Sequence, residues 1–220
     1  MGQFSKVRPI FYRPEKYLIE KYLTNKDARV LEAGCGAGRI SFNIEKYGYK
    51  NIDAFDFSEF MVERAKNVQL ELDSKINFFI ANAVDLINIK SNQYDYAIYL
   101  QQIISFTPYP ENLKALEESF RILKQNGYIL FYFNCYEGRK YNQLLSLILS
   151  FLRLFRRENL SNQSLPWLKL GGKFNWELLR KNQPTIYWFR KKEIITIIEK
   201  IDYAIVEVLN PGTLFIVCRK

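Results

Sequence analysis

Histidine is absent from this chain of 220 residues, and cysteine is scarce. The three cysteines, Cys35, Cys135 and Cys218, lie far apart and form no C-x-x-C pair. Zinc sites and disulfide scaffolds therefore lack their usual residues, and so does any reaction that needs a histidine base. The sequence predicts no metal site.

Long apolar stretches are also missing. No run approaches the roughly 18 apolar residues of a membrane-spanning helix, and residues 1–9 carry no apolar segment typical of secretion signals. We therefore expect a soluble, cytoplasmic protein, with association to a membrane surface as the alternative.

Hydrophobic residues are plentiful, at 48% of the chain, which is enough to bury the core of one domain. We expect residues 1–220 to form that single domain. The net charge of +9 is localised, because residues 134–192 contain twelve basic and three acidic residues and so account for all of it. Such a stretch is either a solvated surface or a binding surface.

Short apolar runs alternate with segments of helical periodicity, which is typical of β-α units around a largely parallel sheet. The turn at Asn210-Pro211-Gly212 is too short for a parallel return, so the last strand is predicted to be antiparallel. Ser58 is a predicted helix N-cap. The predicted strands are 28–33, 51–55, 76–80, 94–100, 128–133, 204–209 and 214–219. The predicted helices are 14–23, 39–47, 58–68, 111–124 and 192–201.

Residues 134–186 interrupt this alternation between the fifth and sixth strands. A predicted apolar helix at 141–157 has one thin polar stripe, and a polar loop and an aromatic-rich stretch follow it. We expect this basic insertion to form a helical cap on the domain. The alternatives for the helix are an interfacial position on lipid and a homodimer interface.

A glycine-rich segment, V-L-E-A-G-C-G-A-G-R, joins the first predicted strand to a helix. Gly34, Gly36 and Gly38 let the backbone turn sharply and approach a ligand, and the helix N-terminus offers free N–H groups. The dinucleotide fingerprint needs its third glycine where Arg39 stands, which disfavours NAD and FAD. No G-K-S or G-K-T follows, so the segment is not a P-loop.

The second predicted strand ends close to Asp56. A carboxylate at that position can accept hydrogen bonds from both hydroxyls of a ribose, so the sequence predicts a nucleoside ligand. Phe57 and Met61 follow and could contact the base, although such residues are also common in plain core packing.

Several segments resemble the class I S-adenosylmethionine-dependent methyltransferases. E-A-G-C-G-A-G-R is similar to the family's glycine motif, and F-D-F-S-E-F-M-V-E-R-A to the segment after its second strand. I-A-N-A-V-D-L resembles the segment after the third strand, and F-R-I-L-K-Q-N-G-Y-I-L-F the turn into the fifth. The resemblance covers nearly the whole chain. It implies a Rossmann-like α/β fold, with a seven-stranded, mostly parallel sheet, an antiparallel last strand and helices on both faces.

The resemblance also implies a cofactor, S-adenosylmethionine, with S-adenosylhomocysteine as product. It implies that Glu32 steadies the glycine loop, that Asp56 holds the ribose and that Leu100 contacts the cofactor through its backbone. Asn82 stands where the family has an aspartate, and its amide oxygen can still accept from the adenine amino group. The complete set predicted to bind cofactor is Glu32, Gly34, Gly36, Gly38, Asp56, Phe57, Met61, Asn82, Ala83 and Leu100.

No catalytic base can be assigned from the sequence. The polar candidates that could face the cofactor are Tyr12, Gln101, Gln102, Asn134, Tyr136 and Glu137, and the predicted acceptor contacts are Tyr12, Gln102, Asn134 and Tyr136. The leading hypothesis is an enzyme that methylates a small or lipid-like acceptor, anionic or partly hydrophobic, beneath the cap.

Two alternatives stay open. A tRNA or rRNA methyltransferase would use the basic insertion on phosphates. Nucleic acid is the less favoured partner, because the fourth strand is followed by L-Q-Q-I rather than N-P-P-Y. The other alternative is a scaffold that binds S-adenosylmethionine without turnover.

Overall fold

The fold comes from a computed structural model. It describes residues 11–138, 143–158, 161–166, 169–170, 173–176, 180, 185–210 and 213–220. The end of the polar loop and much of the aromatic-rich stretch lie outside the described residues, as does the central Pro211-Gly212 of the predicted turn.

A seven-stranded sheet forms the centre of the molecule. Its strands are β1 (Arg29–Ala33), β2 (Asn51–Asp56), β3 (Asn77–Ile80), β4 (Tyr94–Tyr99), β5 (Leu123–Phe133), β10 (Ala204–Leu209) and β11 (Leu214–Arg219). The order across the sheet is β10-β11-β5-β4-β1-β2-β3. β1 to β5 pair in parallel, whereas β11 is antiparallel to both β5 and β10. The predicted fold class, including the antiparallel last strand, is confirmed.

Helices cover both faces of this sheet, as predicted. They are α1 (Arg13–Tyr22), α2 (Arg39–Lys46), α3 (Glu59–Leu72), α4 (Ile103–Phe106), α5 (Glu111–Ile122), α6 (Gln143–Phe155) and α7 (Lys191–Lys200). Apolar residues of α1, α2 and α3 pack on one face, and those of α4, α5 and α7 on the other. The central strands β1 and β4 are buried on both faces, which explains their nearly continuous apolar sequence.

The helix boundaries agree with the sequence patterns at most ends. Pro14 lies in the first turn of α1, where its missing N–H costs nothing. Ser58 caps α3, because its side chain accepts a hydrogen bond from the amide of Met61. α3 continues to Leu72, beyond the predicted end at residue 68.

The fifth strand begins earlier than predicted, at Leu123 rather than residue 128, so α5 ends at Ile122. Lys-Gln-Asn-Gly at 124–127 has the composition of a turn. It lies instead within the strand at an irregularity, where the pairing with β4 shifts and Asn126 has a φ of +64°.

The insertion is only partly helical. α6 confirms the predicted helix over residues 143–155. The rest contains two small antiparallel ladders: β6 (Ser164–Pro166) pairs with β9 (Thr185–Tyr187), and β7 (Lys169–Leu170) pairs with β8 (Lys173–Phe174). Strands of two or three residues are too short to show an alternating pattern, so the sequence did not predict them.

Candidate active site

The glycine loop follows β1 at the carboxyl-terminal edge of the sheet. Gly34, Gly36 and Gly38 have φ angles of +63°, +53° and +84°, which L side chains rarely adopt. A Cβ on Gly34 would lie 1.8 Å from Cδ1 of Ile103, so any other residue would displace that side chain as well as strain the backbone. Gly36 instead has no atom within 4 Å of that position, which leaves its backbone open to a ligand.

Asp56 connects this loop to the end of β2. One carboxylate oxygen accepts from the amide of Gly36 at 2.8 Å, and the other accepts from the amide of Ser58 at 2.9 Å. A carboxylate has about four lone-pair sites, so each oxygen retains capacity for one further donor. The side chain is thus fixed in place with room to hold a diol.

A cavity of about 480 Å³, here named the glycine-loop cavity, opens beside Asp56. Five of the predicted cofactor residues line it: Gly34, Asp56, Phe57, Asn82 and Ala83. The other lining residues are Phe55, Ala81, Val84, Ile103, Phe106, Thr107, Pro108 and Glu111.

The remaining predicted cofactor residues lie around this cavity rather than on its wall. Gly36 contacts Asp56, and Gly38 begins α2, where a Cβ would meet the ring of Phe42 at 2.5 Å. Met61 is half-buried in the first turn of α3 and is not among the lining residues. Leu100 lines a neighbouring cavity instead.

Glu32 lies beneath the loop and has no exposed surface. Its carboxylate accepts hydrogen bonds from the hydroxyl of Ser41 on α2 and from Nε2 of Gln101 at 3.2 Å. It therefore connects β1 to α2 and to the end of β4. Burial raises the pKa of Glu32 to about 7, and the two hydrogen bonds act in the opposite direction.

This pKa predicts a pH-dependent stability. Between about pH 4.5 and about pH 7, Glu32 is protonated in the native chain but ionised in the unfolded chain. Its contribution to the free energy of unfolding is therefore complete below this range and is lost as the pH rises through it. We expect Glu32→Gln to gain stability relative to the parent chain across this window, as measured by urea denaturation at both ends. A difference independent of pH would contradict the assignment.

A second cavity, of about 460 Å³, lies beneath the N-terminal helix and is named the α1 cavity. Phe106 lines both cavities, so the two adjoin at this ring. The residues lining the α1 cavity are Tyr12, Pro14, Glu15, Arg39, Leu100, Gln101, Gln102, Phe106, Tyr132, Thr213 and Phe215.

An ion pair forms one wall of the α1 cavity. The guanidinium of Arg39 donates to both carboxylate oxygens of Glu15, at 2.7 and 2.8 Å, and it lies 4.8 Å from the ring of Tyr12. Glu15 is buried and also accepts from the amide of Tyr12. From the sequence, Arg39 is only a residue that departs from the dinucleotide fingerprint. Here it holds α1 against the start of α2.

Gln102 occupies the opposite wall in a strained conformation, with a φ of +62°. Its amide donates to the hydroxyl of Tyr132 at 3.1 Å and accepts from the amide of Asn134 at 2.9 Å. Tyr132 stacks on Phe215 with ring centroids 4.7 Å apart. Burial raises the pKa of Tyr132 above its ordinary value, so its phenol stays protonated near neutral pH.

The predicted acceptor residues separate into two groups. Tyr12 and Gln102 line the α1 cavity, and the side chain of Asn134 donates a hydrogen bond to that of Gln102. Tyr136 lies under the guanidinium of Arg190, 5.1 Å from ring centroid to Cζ, and lines neither cavity.

The remaining two base candidates are also fixed by local contacts. Glu137 accepts from the amide of Lys191 at the start of α7, away from both cavities. Gln101 lines the α1 cavity and donates to Glu32.

The insertion lines neither cavity in the part that the structure describes. α1 and the start of β11 contribute lining residues to the α1 cavity, and the cap at 134–186 stays a prediction. Thr213 and Phe215 were missed as site residues because a strand pattern does not show which face meets a cavity. Ile103 and Phe106 were missed because a four-residue helix has no measurable period.

Residues 30–127 match the family model described as a methyltransferase domain. Over this stretch, a little under half of the chain, the sequence is similar to methyltransferase domains. The stretch contains the glycine loop, Asp56 and every lining residue of the glycine-loop cavity. The cofactor of this family is S-adenosylmethionine. Within the described residues, no helix of the protein is long and apolar enough to cross a membrane.

Comparison with known proteins also finds similarity to methyltransferases over part of the chain. The chain is 33% identical over 88 residues to ribosomal protein L11 methyltransferase of Ruminiclostridium cellulolyticum, covering 40% of this chain and 27% of that protein. It is 33% identical over 106 residues to ubiquinone biosynthesis O-methyltransferase of Rickettsia bellii, covering 46% of this chain and 42% of that protein. The chain spans about half or less of the curated relatives it matches.

The similarity in fold to solved structures covers more of the chain than the sequence similarity does. A crystal structure described as a SAM-dependent methyltransferase from Methanosarcina mazei superposes with a TM-score of 0.73 at 18% identity. The superposition covers 96% of this chain and 98% of that chain, so the two proteins share their fold.

Proposed function

We propose that this protein transfers a methyl group from S-adenosylmethionine to a small, partly hydrophobic acceptor in the α1 cavity. The observation that carries the proposal is the junction of the two cavities at Phe106. A cofactor bound along the glycine loop in one cavity would meet an acceptor held in the other. Such an arrangement gives the close, aligned approach that a transfer reaction needs.

The glycine-loop cavity fits the nucleoside part of the cofactor. Asp56 has the capacity to accept from the ribose hydroxyls, and the exposed ring of Phe57 offers a face to the base. Asn82 uses its amide oxygen to accept from the amide of Val84 at 3.2 Å, which leaves that oxygen one further lone pair for an amino group. When bound, the cofactor supplies a methyl group already activated by the sulfonium.

The residues of the α1 cavity are suited to orient an acceptor rather than to deprotonate it. Among the described lining residues, Glu15 carries the carboxylate, and it forms an ion pair with Arg39. Gln102 and Tyr132 offer hydrogen bonds, and Phe106 and Phe215 offer apolar surface. An acceptor that needs to lose a proton would pass it to water.

Charge and the comparisons favour a neutral, partly hydrophobic acceptor over an anionic one. Glu15 and Arg39 are the charged residues among the described lining of the α1 cavity, and they neutralise each other. The Rickettsia bellii relative is named for O-methylation in ubiquinone biosynthesis, which suggests a hydroxyl-bearing acceptor with apolar area.

Methyl-labelled S-adenosylmethionine incubated with the purified protein and an extract of its source cells tests this proposal. We expect label in the organic-soluble, low-molecular-mass fraction, and much less of it when Asp56→Ala protein is used at the same cofactor concentration. Label in RNA or in protein would replace the proposed acceptor class. Cofactor binding without any transferred label would instead favour a scaffold that binds S-adenosylmethionine.

A further inference from the structure

α6 presents an unusually apolar surface to solvent. Leu147, Phe151, Leu154 and Phe155 are 68%, 62%, 76% and 79% exposed, and together they are named the α6 apolar face. Their spacing of four, three and one residues places them on one side of the helix. Large apolar side chains clustered in this way mark an interaction surface.

The opposite side of α6 is attached to the protein. Leu149 is 3% exposed, and Nη1 of Arg153 donates to the carbonyl oxygen of Ser164 at 2.6 Å. Arg153 also lies 3.9 Å from the carboxylate of Glu158. Leu149 and Arg153 are four residues apart and so lie on one side of the helix. The attachment therefore holds the α6 apolar face outwards.

Basic residues outnumber acidic ones around this face, and the one acidic residue next to it, Glu158, lies 3.9 Å from Arg153 and 4.0 Å from Arg156. Residues 139–157 include five basic residues and no acidic one, with two of the five before α6 and three at its carboxyl-terminal end. Arg157, just beyond the helix, is exposed. A helix with an apolar face and basic ends is typical of segments that lie in the headgroup region of anionic lipid.

We propose that the α6 apolar face docks this protein on the surface of an anionic membrane. Thirteen residues give α6 a length of roughly 20 Å, too short to span a hydrocarbon core of about 30 Å, so the helix would lie flat. Pairing of the face with a second copy of the chain is less favourable. A two-fold contact would bring the two basic segments together. The proposal is independent of the acceptor proposed above.

Vesicle sedimentation tests this docking. The full chain is mixed with phosphatidylcholine vesicles and with vesicles of equal parts phosphatidylcholine and phosphatidylglycerol. We expect binding to the anionic vesicles to fall at least about tenfold in Phe151→Ser/Phe155→Ser. The matched control is Leu70→Ser/Ile87→Ser, which removes two residues of 81% and 80% exposure from other surfaces and should bind like the parent chain.

The outcomes separate the possible partners. Weaker binding to neutral than to anionic vesicles, together with the loss in the α6 variant alone, supports the proposal. Binding that is equal in the α6 variant and the parent chain overturns it, as does a parent chain that binds no anionic vesicles. A parent chain that is dimeric, and becomes monomeric in the α6 variant, overturns it in favour of a second copy. Unchanged cofactor affinity and circular dichroism establish that both variants are folded.

Discussion

Asp56→Ala is expected to weaken binding of S-adenosylmethionine by about ten- to a hundredfold in isothermal titration calorimetry. Hydrogen bonds to a charged group contribute about 1.5–3 kcal/mol each, and the variant removes the carboxylate that we assign to the ribose. Because Asp56 also accepts from the amides of Gly36 and Ser58, part of the loss reflects a less ordered glycine loop.

Two variants distinguish the ribose contact from these structural effects. Asp85→Ala removes an exposed carboxylate close in sequence to the glycine-loop cavity and should leave the affinity unchanged. Asp56→Asn keeps one acceptor oxygen and should fall between the parent chain and Asp56→Ala. If Asp56→Ala melts like the parent chain and binds the cofactor equally well, the ribose assignment is wrong.

Arg39→Leu is expected to lower the free energy of unfolding by about 3 kcal/mol at neutral pH. The variant leaves the buried Glu15 without its bidentate partner, and a buried charge that loses its partner is strongly destabilising. Urea denaturation at pH 7 measures the loss. The variant should also open the wall of the α1 cavity, because this ion pair joins α1 to α2.

A double-mutant cycle tests this explanation. Glu15→Leu/Arg39→Leu replaces both charges with apolar residues and should recover most of the lost stability. Lys50→Leu removes one partner of an exposed pair with Asp27 and should cost less than about 1 kcal/mol. A double variant no more stable than Arg39→Leu would show that the cost arises from packing rather than from the unpaired carboxylate.

The sequence predicted the lining residues of the glycine-loop cavity better than those of the α1 cavity, for a physical reason. The glycine loop and Asp56 follow two adjacent parallel strands, so short local motifs define their positions in space. The α1 cavity instead combines α1, the start of α2, the end of β4, β5 and β11. Tyr132 on β5 stacks on Phe215 on β11, and no local sequence pattern predicts a contact between residues so far apart in the chain.

Two further features were not predicted, because the local sequence is typical of a different backbone conformation. Asn126-Gly127 is a turn sequence, yet its backbone hydrogen bonds to Lys220 and the pairing of flanking residues with β4 keep it within β5. Gln102 is a non-glycine residue with a positive φ, held there by side-chain contacts to Tyr132 and Asn134 that only the folded chain provides. Tertiary contacts decide both cases.

The position of β11 between β5 and β10 has a consequence for the order of assembly on the ribosome. The glycine-loop cavity is complete once Glu111 has been synthesised, whereas the α1 cavity needs Thr213 and Phe215. β11 must enter the sheet beside β5 after all the parallel strands have been made. A growing chain would therefore contain every lining residue of the glycine-loop cavity about a hundred residues before it contains those that β11 adds to the α1 cavity.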